Sequence, residues 1–118
     1  MDRRPDPIGS LAQIPAPNPR LYENIQDYAH WRNPFLRALS DGVLVHCLDP
    51  AFEKKVPVGD LSQTLRFIPP SAWPYGRVVA FEAGGGPQAD ASHKLIEQNR
   101  VQIEAFLKAA GVTIEYWP

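Results

Sequence analysis

Arg77-Val78-Val79-Ala80-Phe81-Glu82, the glycine run Gly84-Gly85-Gly86-Pro87, a helical stretch closing on Lys108-Ala109-Ala110-Gly111, and a last run Val112-Thr113-Ile114-Glu115-Tyr116-Trp117: residues 77–117 decide the fold. The first run is apolar almost throughout, the mark of a strand buried on both faces. Between the two runs, Leu95, Ile96, Ile103, Phe106, Leu107 and Ala110 recur at helical spacing. Asp90 or Ser92 serves as the N-cap, and Gly111 stands where a left-handed C-cap is wanted. The final run alternates as a half-buried strand does. Strand, helix and strand in this order predict a βαβ unit with parallel strands and a right-handed crossover.

Upstream, Phe35 to Leu39 and Val43 to Leu48 flank Ser40-Asp41-Gly42. An Asp-Gly pair between apolar runs predicts a β-hairpin. Asp49-Pro50 ends its second strand, and Lys54 to Pro57 reads as a connection with an extended stub at Val56 to Val58. Leu61, Leu65 and Ile68 then form one stripe of a two-turn helix stopped by Pro69-Pro70. Trp73-Pro74-Tyr75-Gly76 makes a turn. The expected domain, residues 35–118, is a small α+β or α/β two-layer sandwich. Its four-stranded mixed sheet joins an N-terminal hairpin to a C-terminal βαβ unit, with two helices on one face.

Residues 1–34 read as a proline-rich leader or arm. Pro5, Pro7, Pro15, Pro17 and Pro19 fix φ and remove backbone donors too often for a helix or a central strand. Ile14 to Pro19 leans toward polyproline II, as a spacer or as an arm laid over the domain. Leu21, Tyr22, Ile25, Tyr28 and Trp31 fall at spacings of three and four, suited to pinning this leader to the core.

A chain of 118 residues has room for one core, and 44% hydrophobic with 21% charged residues is the composition of a globular domain. The formal net charge of -1, with its basic residues scattered, excludes a basic stripe that tracks nucleic-acid phosphates. No apolar run approaches the length of a membrane span, and no apolar segment follows the basic residues of Met1 to Ser10. The chain as it stands therefore reads as soluble. An upstream signal or anchor would place it in the periplasm or another extracytoplasmic space; otherwise it is cytoplasmic. Cys47 is the single cysteine and cannot form an internal disulfide.

No catalytic residue stands out. Ser92 and His93 lie outside any nucleophile elbow and read as a helix cap and a first-turn solvent residue. His46 and Cys47 are neighbours on a strand and point to opposite faces, and neither a Cys-x-x-Cys nor a His-x-x-x-His spacing occurs, so neither metal nor cofactor is expected. The strand-to-helix loop at Gly84, Gly85 and Gly86 is a candidate anion pocket, with Glu82 and His93 beside it. It lacks the Lys-Ser/Thr of a phosphate-binding loop, and Asp90 adds negative charge there. Trp73, Tyr75, Tyr116 and Trp117 are candidate partner-binding aromatics near a sheet edge, or the rim of a small core. These features favour a non-enzymatic protein- or peptide-binding or assembly domain, with self-association as one form of it. The alternative is a small-ligand or anion-binding protein, or a small enzyme, that uses the Gly84 to Gly86 loop.

Asp41-Gly42-Val43-Leu44-Val45, Val56-Pro57-Val58-Gly59-Asp60-Leu61 and Lys108-Ala109-Ala110-Gly111-Val112 follow one another in an order that resembles the periplasmic domain of the ExbD/TolR biopolymer-transport family. The resemblance covers about Phe35 to Trp117. It implies a similar architecture and an envelope-associated domain that binds proteins or peptides through a sheet edge. The family's membrane helix, with its functional aspartate, has no counterpart in this sequence, so proton-motive function is not carried over.

Overall fold

The computed structural model describes residues 11, 13–27, 29–48, 51–83 and 90–117. Among them, β1 (Phe35–Leu39), β2 (Gly42–Leu48), β3 (Ala51–Val56), β4 (Val78–Ala83) and β5 (Thr113–Tyr116) make one mixed sheet in the order β3-β2-β1-β4-β5. β1 to β3 run antiparallel as a meander, while β4 pairs parallel with both β1 and β5. Two helices, α1 (Leu61–Phe67) and α2 (Asp90–Ala109), complete the expected α+β class.

The β1–β2 hairpin turns at Asp41-Gly42 and keeps Leu39 opposite Gly42. A Cβ at Gly42 would stand 2.3 Å from the Val56 carbonyl oxygen, so glycine is what lets the end of β3 close on this turn. The sheet has five strands rather than four. Residues 51–56 form a full strand, and the stub expected at 56–58 is instead the end of β3 followed by a short 3-10 turn at Val58–Asp60. Glu53, Lys54 and Lys55 are exposed along β3 and hide the alternation that would have revealed it. Charge on an edge strand discourages pairing between like copies of that edge.

Both helices lie on one face of the sheet. Leu61 and Leu65 of α1, and Ile96, Ile103 and Leu107 of α2, join Leu36, Val43, Val45, Val79 and Phe81 in the larger core cluster. α2 starts at Asp90, so Ser92 sits inside its first turn and does not cap it. Its other end is as expected: Gly111 adopts φ +75°, Gly111 N donates to Lys108 O at 3.1 Å, and Val112 N donates to Leu107 O at 2.9 Å. These two bonds form a Schellman cap, which satisfies carbonyls the helix leaves open.

The opposite face carries a second, aromatic core. Tyr22 and Trp31, from the segment before β1, bury Phe35, Tyr75, Val78, Ala80 and Trp117. Asn33, fully buried, fastens that segment to the turn before β4. Its Nδ2 donates to Gly76 O at 2.8 Å and Val78 O at 2.7 Å, and its Oδ1 accepts from Tyr75 N at 2.9 Å. Further back, Arg77 N donates to Pro15 O at 2.8 Å. Residues 15–27 and 29–34 thus act as a strap over part of this face, held by backbone bonds as well as by rings, while Leu11 and Ile14 before them reach the helix-side core.

Candidate functional site

Among the described residues, one concave place lies on each face of the sheet. The first is a groove of about 430 Å³ between β3 and α1. Among the described residues β3 has only β2 beside it, so the outer row of its backbone N–H and C=O groups meets no strand there. Pro57 and the 3-10 turn at Val58–Asp60 lead straight from β3 into α1, which sets the helix alongside that open edge. Val56 is buried at the floor, Phe52 is half-buried, and Lys54 and Gln63 are exposed. Phe67 falls off the Leu61, Leu65 and Ile68 stripe, and its ring stands on the groove wall 77% exposed. The ring therefore presents apolar surface to solvent at the groove. Lys55, also on the groove, donates to Asp41 Oδ2 at 2.7 Å, which holds the Asp41 carboxyl below its usual range. Lys54 has no such carboxylate among the described residues.

The second is a cleft of about 400 Å³ on the strapped face, where the strap leaves β1, β2 and β4 uncovered. Phe35, Leu44 and Trp117 give it an apolar wall, and Gln26, Arg37, Glu53 and Glu82 its polar groups. Arg37 and Glu82 are paired in the β1–β4 register, and Arg37 Nε donates to Glu82 Oε1 at 2.7 Å. His46 Nδ1 lies 3.2 Å from Glu53 Oε1 across β2 and β3.

Glu82 and Trp117 therefore meet at this cleft, whereas the other expected site residues are scattered. Trp73 is buried in the helix-side core, and Tyr75 is buried against Trp31 with ring centres 5.0 Å apart. Tyr116 is 55% exposed, and its hydroxyl donates to Glu104 Oε2 at 2.7 Å on the helix side, raising the phenol pKa. The four aromatics do not share one exposed patch, because ring burial on two opposite faces separates them. His93 is exposed on the first turn of α2. Gly84, Gly85 and Gly86 lie outside the described residues. His46 and Cys47 face opposite sides of β2, and burial pushes the Cys47 thiol up to about 11, so it is protonated and inert at neutral pH.

Phe67, Lys54 and Arg37 escape the sequence reading. The signal for Phe67 was its place off the apolar stripe of a short helix, and for Arg37 a charge inside the otherwise apolar run of β1. Among the described residues no helix is long and apolar enough to cross a membrane. No three His, Cys, Asp or Glu side chains gather there as a metal site. No family model, curated protein or solved structure matches this chain.

Proposed function

We propose that this is a non-enzymatic peptide-binding domain, which takes an extended segment of a protein partner as an added strand along β3. The observation that carries the reading is the open β3 edge beside the α1 groove, with the Phe67 ring exposed on its wall. Strand addition gains affinity from main-chain hydrogen bonds and specificity from pockets for alternate side chains, and a groove between an edge strand and a helix supplies both. The partner's inward side chains would be apolar, to cover Phe52, Val56 and Phe67. The resemblance to the ExbD/TolR periplasmic domain points to the same mode of binding, through a sheet edge.

Selection from a random-peptide display library tests this directly. The protein is expected to enrich sequences with apolar residues at every second position, and Phe67→Ser is expected to weaken the best of them at least about tenfold. Enrichment that yields no alternating pattern, or binding that Phe67→Ser leaves intact, would overturn the reading.

A further inference from the structure

The cleft on the strapped face has its own chemistry, independent of the β3 edge. Arg37 is held from two sides: Nε donates to Glu82 Oε1 at 2.7 Å, and the guanidinium carbon stands 5.5 Å from the centre of the Phe35 ring. Its two terminal nitrogens, Nη1 and Nη2, have no hydrogen-bond partner among the described residues. A guanidinium fixed through Nε presents that remaining edge as a ready fork for a carboxylate. Glu82 uses one oxygen for Arg37, and Glu53 brings a second carboxylate to the same cleft. Between the charges lies the apolar wall of Phe35, Leu44 and Trp117.

These groups choose among ligand classes. One arginine stands among two glutamates in the lining, which disfavours a simple anion. A simple cation suits the glutamates but leaves the Arg37 fork empty and meets its positive charge. A ligand that carries both a carboxylate and an ammonium satisfies both sides, and about 400 Å³ places the cleft within the small-molecule range. We infer that the cleft binds a free α-amino acid with an apolar side chain. The carboxylate lies on the Arg37 Nη edge, the ammonium against Glu82, and the side chain on the Phe35, Leu44 and Trp117 wall.

The test is a titration of the ¹⁵N-labelled full chain, followed by NMR, with leucine and phenylalanine. Parallel titrations use 3-methylbutylamine and phenethylamine, which lack the carboxylate, and 4-methylpentanoate and 3-phenylpropanoate, which lack the ammonium. One of the amino acids is expected to give saturable shifts at Arg37, Glu82 and the Trp117 indole, with its two analogues weaker by about tenfold or more. Arg37→Gln is expected to weaken binding by a similar factor while the melting curve stays cooperative. Glu82→Gln, which keeps an oxygen facing Arg37, is the second variant and is expected to weaken the amino acid while leaving the carboxylate analogue unaffected or improved. The inference is overturned if neither amino acid saturates the cleft by about 10 mM, an affinity below which no specific site is being filled. It is equally overturned if an analogue binds as tightly as its amino acid, or if binding survives unchanged in both variants. The peptide groove involves none of the variant positions, so its fate is separate.

Discussion

Arg37 and Glu82 stand opposite one another in the parallel register of β1 and β4, and their side chains meet at 2.7 Å on the strapped face. The pair sits where a helix-covered sheet would have no use for charge. On the helix side, the neighbouring positions Leu36 and Phe81, paired in the same register, are buried in the core. The ion pair therefore marks the part of the sheet that, among the described residues, neither helix nor strap covers.

That pair contributes little to stability. Arg37 is 36% exposed and Glu82 23%, so water screens their attraction. Arg37→Gln and Glu82→Gln are each expected to cost less than about 1 kcal/mol in urea denaturation. A loss several times larger would show the two charges to be desolvated.

Asn33 is a different case. Its amide is fully buried and makes three bonds to residues 75–78, so truncation strands the Tyr75 N–H and two carbonyls together. Asn33→Ala is expected to destabilise by about 2–4 kcal/mol, read from the urea midpoint at constant slope. Tryptophan fluorescence should change along with it, since Trp31 and Trp117 pack edge-on in the cluster this bond set anchors.

Two glycines of the first half are expected to respond in opposite ways. Gly42→Ala forces a Cβ to within 2.3 Å of the Val56 carbonyl oxygen, whereas a Cβ at Gly59 meets nothing within 4 Å. Thermal denaturation should show a loss of about 2 kcal/mol or more for Gly42→Ala. Gly59→Ala should be neutral or gain a few tenths of a kcal/mol, because the unfolded chain loses freedom.

Cys47 gives a pH signature. Burial raises its thiol from an ordinary value of 9.0 to about 11, so the folded chain keeps a proton that the unfolded chain has begun to release. The stability tied to this proton is fully present below pH 9 and is lost as pH rises toward 11. Cys47→Ala should flatten that part of the curve. In the native wild type, a thiol reagent at pH 8 should label Cys47 only through opening of the fold.

The βαβ unit was legible because its signals are local: a continuous apolar run for β4, a helical period for α2 and a glycine for the Schellman cap. The β1–β2 hairpin was legible for the same reason, in Asp41-Gly42. β3 was not, because its register is set by pairing with β2 while its own residues 53–55 are charged and exposed. Of the site, Glu82 and Trp117 were singled out, but their company was not. Arg37, Glu53 and Leu44 reach the same cleft only through strand order, and Phe67 reaches the β3 edge only through the turn at Val58–Asp60. Strand order and register arise from contacts far apart in sequence, which no local period records.

The most direct test of the peptide-binding account is amide hydrogen exchange along β3, with and without a display-selected peptide at saturation. An added strand bonds to every second residue of the edge it joins. The account predicts that alternate amides from Ala51 to Val56 gain protection on peptide addition, while β5, the other edge of the sheet, does not change. Protection confined to α1, or appearing at β5 instead, would contradict it.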